Sequence, residues 1–291
     1  MNTIDFRTGT PTARPIDVRW IHGSESAKHN TDPDIQVYAY DEHTVILRQN
    51  KAVHYEAPFL YLFFGADRAV LIDTGATASP AYFPLRATVD GLIDAWLAEN
   101  PRDGYELLVL HTHGHGDHKA GDPQFADRPA TRLVPADRDA AFAFLGLDPG
   151  PDADPDTVVP LDLGGGRVLD CFAIPGHHAA SVAFHDRHTG FLLTGDTVYP
   201  GRLYVEDWAA FTRSIDRLIA FAATRPVTHV LGCHIEMTAT PSVEFRHFAT
   251  HHPDEHRLEL TVDHLHRIRA AIEEIGDKPG EYTYPDFAIH R

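Results

Sequence analysis

The chain has 291 residues, 43% of them hydrophobic and 23% charged, with 42 acidic against 25 basic side chains and a formal net charge of −17. That balance points to a folded chain and not a disordered one, and the length leaves room for one domain with insertions or for two small ones. An acidic surface argues against nucleic acids and anionic membranes as partners, because both need Lys and Arg to displace counterions, and no run approaches the ~18 apolar residues of a membrane span.

Residues 1–30 read as a loose polar lead-in broken by Pro and Gly, ahead of a single domain over 31–291. Its first quarter carries short β-rich runs: IQVYAY from Ile35, TVILRQ from Thr44, FLYLFF from Phe59 and AVLID from Ala69. Asp41-Glu42 and Gly65-Ala66-Asp67 between them suit hairpin turns, so an antiparallel sheet is expected. Leu85, Val89, Leu92, Ile93, Trp96 and Leu97 recur at helical spacing and predict a helix over 84–100, ended by Pro101. The apolar run from Leu107 to Leu110 predicts a buried strand leading into HTHGHGDH. A helix is expected over 136–145, followed by an exposed Pro/Asp/Gly loop, GLDPGPDADPDT. Strands follow over 158–161, 167–174, 181–184 and 191–194. Trp208, Phe211, Ile215, Leu218 and Ile219 predict the next helix, and 227–231 the next strand. A last helix is expected over 253–275, with Leu265, Ile268, Ile272 and Ile275 on its buried face and Gly276 as terminator. Strands flanked by helices along the whole chain predict one α/β sandwich with a C-terminal helical extension. The apolar face of the last helix leaves a homodimer open.

The chemistry concentrates in His113-Gly114-His115-Gly116-Asp117-His118, where four potential ligands stand within six residues at the end of a buried strand. Glycines at alternate positions are expected to let the backbone bend so that these side chains converge. Histidine and aspartate donors suit zinc, and also manganese or iron. This segment resembles the HxHxDH signature of the metallo-β-lactamase superfamily. The rest of that pattern follows in order: Asp73 in VLIDTGA, His177 in IPGHH, Asp196 in LLTGDTVYP and His234 in VLGCH, each after an apolar run.

The resemblance implies a four-layer αββα sandwich with two metal ions, zinc first, at its edge. His113, His115 and His177 would hold one ion, and Asp117, His118 and His234 the other. Asp196 would bridge them, and Asp73 would accept a proton from a ligand histidine and fix its tautomer. Two ions ~4 Å apart can share a hydroxide and stabilise both attack and departure. Asp117, Tyr199 and Tyr204 are the candidate catalytic side chains, a tyrosine hydroxyl being suited to polarising a carbonyl or assisting a leaving group.

Other residues receive plainer readings. His111 is expected to be packed beside the site, and His178 competes with its neighbour His177 as ligand. Cys233 is read as a small buried residue; it does not stand where the antibiotic-degrading enzymes carry their cysteine, at the Asp196 position, which argues against β-lactams as the main substrate. The two cysteines, Cys171 and Cys233, form no disulfide framework and suit a reducing cytoplasm, and MNTIDFRTGTPTARP lacks the apolar core of a signal peptide. His251, His252 and His256 are expected to face solvent or rim the pocket, and Asp254 and Glu255 to complement a helix start. Arg202, like Tyr199 and Tyr204, follows Asp196 closely and is expected beside the metals. His22, His29 and His54 read as structural.

The expected function is hydrolysis of a small ester, lactone, thioester or amide. No basic cluster near the C-terminus is evident to hold glutathione, which weighs against that thioester. The alternative is a mononuclear iron sulfur dioxygenase, in which His118 and His234 would be spare; a nuclease is disfavoured by the charge. Loops over 146–156 and 200–208, together with the C-terminal helical region, are expected to set the substrate.

Overall fold

The computed structural model describes residues 4–7, 9–147 and 157–291. In the first half, strands β1 (Ile35–Asp41), β2 (Thr44–Gln49), β3 (Phe59–Phe64) and β4 (Arg68–Ile72) precede helix α1 (Leu85–Glu99) and strand β5 (Glu106–Leu110). The short helix α2 (Gly116–Lys119), strand β6 (Thr131–Leu133) and helix α3 (Arg138–Leu145) complete that half. The second half contains β7 (Val159–Asp162), β8 (Val168–Ala173), β9 (Val182–Asp186), β10 (Phe191–Gly195), β11 (Arg202–Tyr204), α4 (Trp208–Thr224) and β12 (His229–Gly232). It closes with β13 (Glu259–Leu260), α5 (Val262–Ile275), β14 (Glu281–Thr283) and β15 (Ala288–His290).

One sheet runs β1-β2-β3-β4-β5-β6 and the other β13-β12-β10-β9-β8-β7, with a small sheet β11-β15-β14 beside them. The expected hairpins form: β1 pairs antiparallel with β2, and β3 with β4. The switch to parallel pairing at β4-β5 and at β10-β12 follows from sequence, since α1 and α4 supply the crossovers that parallel neighbours require.

Both large sheets bury two faces, so β2, β3, β9 and β10 are buried at every residue without alternation, β3 and β10 as mostly apolar runs and β2 and β9 with buried polar residues such as Arg48 and Asp186. Phe63, Val70, Ile72 and Leu108 of the first sheet meet Leu169, Phe184, Leu193 and Leu231 of the second in a central core. The outer face of the first sheet packs Leu62, Leu71 and Val109 on Val89, Ile93 and Trp96 of α1. The outer face of the second packs Phe172, Leu192 and Val230 on Phe211 and Ile215 of α4 and Leu265 and Ile268 of α5. These are the four layers of an αββα sandwich, as expected.

Three expectations need correction. The lead-in is not loose: Phe6, Ile16, Trp20 and Ile21 are buried, and Trp20 packs edge-on against Phe59. The last helix begins at Val262, not at Pro253, and Thr261 with His264 forms its capping box. The segment before it is held by isolated bridges Gly23–His251 and Thr238–Glu255. Glu255 therefore serves no helix dipole: it is a buried partner of Arg48, with contacts of 2.5 and 2.6 Å. The expected loop over 146–156 lies outside the described residues beyond Leu147.

Candidate metal centre

The site is built where strands end. Asp73 directly follows β4, the HTHGHGDH run follows β5, His177 lies beyond β8, Asp196 directly follows β10 and His234 lies just past β12. Because β4 and β5 lie side by side in one sheet, and β10 and β12 in the other, four of these ends come together at one edge of the sandwich. Two glycines make the approach feasible. A Cβ on Gly195 would stand 2.8 Å from the Cβ of Thr112, and one on Gly176, at φ 140°, would meet the Cα of Phe211 at 2.3 Å. The glycines of the motif act otherwise than expected. Neither Gly114 nor Gly116 has a positive φ; the former is small because the His178 ring lies against it, 3.0 Å from where a Cβ would stand.

Two adjoining sets of donors result. His113, His115 and His177 bring one ring nitrogen each within 4.8 Å of one another, and Asp117, His118, Asp196 and His234 do the same. In the first set, Nε2 of His113 lies 2.9 Å from Nδ1 of His115 and 3.3 Å from Nε2 of His177. In the second, Nε2 of His118 is 3.3 Å and Nε2 of His234 3.2 Å from Oδ2 of Asp117. Oδ2 of Asp196 lies between the sets: 3.3 Å from His118, 3.4 Å from His234, 3.8 Å from His177 and 3.9 Å from His113.

These distances fit a metal better than a hydrogen-bond network. Donors about 2.1 Å from a common tetrahedral centre stand roughly 3.4 Å apart. Nε2 of His118, Nε2 of His234 and Oδ1 of Asp196 are buried without a hydrogen-bond partner among the described residues, and a buried orphan polar atom is costly unless something fills the gap. The far side of each ring is already anchored. Nδ1 of His118 meets Asp73 Oδ2 at 2.9 Å, Nδ1 of His177 the Tyr204 carbonyl at 2.9 Å, and Nδ1 of His234 the Glu56 carbonyl at 3.1 Å. Each inward nitrogen is thereby aimed at the gap: on His177 it presents a lone pair, and on His118 and His234 a bound cation would take the place of a proton.

The electrostatics agree. Burial disfavours a charged His118, yet Asp196, Asp73 and Asp117 hold it well above the usual imidazole range. Burial raises Asp117, but His118 beside it more than reverses this. Carboxylates so placed call for cations. Burial keeps His113 and His177 low, and so neutral and able to ligate.

Asp73 accepts from the Thr112 backbone N–H at 2.8 Å and from its hydroxyl at 2.9 Å as well as from His118. Cys233 is fully buried, its thiol 3.4 Å from the same carboxylate, and burial pushes that thiol up. His178 stays outside both sets; its Nδ1 accepts from the Ala180 N–H at 3.0 Å. His111 bonds Asp122 at 2.9 Å.

A cleft of about 300 Å³ opens over the donors. Tyr199 lines it and is 2% exposed, but its hydroxyl is engaged by Glu236 at 3.0 Å and by the Arg202 carbonyl. Arg202 is likewise engaged, by Glu236 at 3.0 Å and Glu244 at 2.7 Å. Tyr204 is on the rim, 38% exposed, with its hydroxyl 3.4 Å from His247. His252 lines the cleft from a buried position, stacked on Phe245 at 3.9 Å, so it does not face solvent. Lys51, Tyr55, Glu56, Glu236, Arg246, His247, Phe248 and Ala249 also line the cleft. Sequence reasoning missed these eight. Glu236 stands two residues past His234 and was within reach of inspection; the others follow from tertiary packing.

The sequence profile of the Metallo-beta-lactamase superfamily matches residues 57–258. Among relatives, acyl-coenzyme A thioesterase MBLAC2 of Homo sapiens is 28% identical over 210 residues, covering 60% of this chain and 72% of that protein. Hydroxyacylglutathione hydrolase of Halorhodospira halophila is 29% identical over 209 residues, covering 68% and 71%. The crystal structure of a metallo-β-lactamase from Erythrobacter litoralis, with beta mercaptoethanol in its active site, aligns at a TM-score of 0.53 and 16% identity over 84% of this chain and 99% of that one, a likeness of fold alone. The chain belongs to the metallo-β-lactamase superfamily, whose fold and His/Asp metal-binding groups it carries. Its relatives and its donor sets together make it a metal-dependent hydrolase.

Proposed function

We propose that the protein is a dinuclear zinc hydrolase that cleaves small thioesters and related esters at the carbonyl. His113, His115 and His177 would hold one ion, Asp117, His118 and His234 the other, and Asp196 would face both. The observation that carries this reading is the pair of donor sets sharing Oδ2 of Asp196, with Nε2 of His118 and of His234 unpartnered. Ions bound there would supply a water acidified to near neutral pH and a Lewis acid for the carbonyl oxygen.

The chain's own residues do the rest. Asp73 fixes the His118 tautomer. The Tyr204 and Glu56 carbonyls orient His177 and His234. Asp117 and Asp196, both held ionised, lower the net charge that two cations would bring. The Tyr204 hydroxyl stands at the cleft mouth and is the tyrosine suited to a substrate oxygen or leaving sulfur, whereas Tyr199 braces Glu236. A thioester is the first substrate class to try, since both kinds of relative are named for thioester or thiol-conjugate cleavage. A mononuclear iron site would leave His118 and His234 idle, which their convergence on Asp117 and Asp196 argues against.

Elemental analysis of protein never exposed to chelator is expected to give about two zinc per chain, and a panel of thioesters, lactones and aryl esters to give turnover that chelation abolishes. One iron per chain with oxygen uptake on a persulfide would overturn the reading.

A further inference from the structure

Of the three Lys and Arg side chains that line the cleft, Arg202 is paired with Glu236 and Glu244, and the other two, Lys51 and Arg246, make no ion pair among the described residues. Lys51, in the β2–β3 connection, lines it and is 3% exposed. A buried lysine is almost always paired. Here Nζ donates only to the Tyr55 carbonyl, at 2.9 Å, and makes no ion pair among the described residues, so two of its three N–H groups lack an acceptor. Burial, with the Arg48 charge nearby, lowers it to about 8, so it still carries charge at neutral pH. Arg48 itself is neutralised by Glu255 at 2.5 Å. Glu56 and Glu236 line the same cleft, yet neither reaches Lys51 as an ion pair. Arg246 approaches the cleft from a segment far along the chain; it is exposed, and its guanidinium has no ion pair among the described residues. Tyr55 and Phe248 line the same cleft, edge-on to each other at 4.9 Å, the latter 71% exposed.

We propose that Lys51 and Arg246 form an anion subsite of this cleft, so that the substrate carries a carboxylate or phosphate beyond its scissile carbonyl. The proposal rests on the hydrolase reading and adds a substrate class to it. The chain's charge of −17 repels an anionic substrate at long range. A cation held out of water inside the cleft offsets that locally, since charge–charge attraction grows as the dielectric falls. Tyr55 and Phe248 offer an apolar cover for the carbon chain linking the two ends. A purely structural Lys51, tying its loop through the Tyr55 carbonyl, would affect stability but not discriminate between charged and neutral substrates.

The test uses thioesters whose thiol half ends in a carboxylate, a phosphate or a neutral carboxamide, together with the matching non-hydrolysable thioethers. The zinc-loaded full chain is expected to prefer one of the charged thioesters by about tenfold or more in kcat/KM, chiefly through KM. The stronger of the two charged arms identifies the group. K51M and R246Q are expected to bring that ratio towards one, and R246Q, at an exposed position, keeps the test valid should K51M fail to fold. Calorimetric binding of the thioethers is expected to follow the same order. No discrimination by the wild type, or discrimination that survives in both variants, would overturn the subsite. Lys51- and Arg246-dependent binding of the charged thioethers without turnover of any thioester would keep the subsite and overturn the hydrolase reading instead.

Discussion

Asp73 shows how much a single carboxylate organises. It sits at φ 67°, a left-handed conformation that Asp tolerates better than most side chains, and its backbone N–H donates to the Leu110 carbonyl at 2.8 Å. That turn aims its side chain at Thr112 and His118, across from β4 to the loop after β5. Asp73→Ala would free the His118 ring to rotate. It is expected to lower metal affinity by about 10–100-fold, read by competition with a chromogenic chelator. Unchanged affinity would mean that His118 is fixed by other contacts. The choice between His177 and His178 belongs to this scale too. The sequence offers two adjacent imidazoles, and only the path of the chain after Gly176 decides that the first turns to the donors while the second caps its own turn.

At the scale of elements, the sandwich is tied by buried ions as well as by apolar faces. Arg167, fully buried ahead of β8, bonds Asp186 at the end of β9 at 2.7 Å and reaches across to the Phe64 carbonyl at 3.0 Å and the Thr44 hydroxyl at 2.7 Å. It thus links the two large sheets. Arg167→Met strands the Asp186 charge and is expected to cost about 3–5 kcal/mol in chemical denaturation. The double change with Asp186→Leu is expected to recover a large part of that loss. A single change that costs nothing would show that water reaches Asp186. The misplaced start of α5 has a related cause. Pro253, Asp254 and Glu255 look locally like a helix entry, but Glu255 is drawn to Arg48 of β2, a partner that only the tertiary fold brings near.

At the scale of the molecule, pH and metal are the two levers on stability. Burial raises Glu255, but the Arg48 guanidinium overcomes this and holds it at about 2, below its ordinary 4.5. A carboxyl lowered on folding stabilises fully above its unfolded value and loses that contribution as pH falls through its folded value. The Arg48–Glu255 contribution is therefore expected to be complete above about 4.5 and to fade towards 2, with Asp186, lowered by Arg167, following in the same direction. Wild type and E255Q are expected to differ by roughly 3 kcal/mol at pH 6, a gap that narrows as acid titrates Glu255; a constant gap would refute the assignment. Metal removal acts on the same sandwich. Donors from both sheets meet at one edge, so chelation is expected to lower Tm and re-addition of zinc to restore it in a concentration-dependent way. An unchanged Tm would mean that the edge is held without metal.

The sequence alone determined the class of fold and marked the candidate donors, because these are local properties. Strand and helix periods are written in short windows, and each donor announces itself as His or Asp at the end of an apolar run, as in VLIDTGA, LLTGDTVYP and VLGCH. Only the tertiary structure decided which residues face those donors across the cleft. Lys51 and Tyr55 come from a hairpin connection, and Arg246 and Phe248 from a segment without regular structure, so no period or spacing marks them. The burial of Lys51, the engagement of the Tyr199 hydroxyl and the pairing of Glu255 with Arg48 are likewise consequences of which segments pack together, and contacts between distant segments leave no local pattern to read.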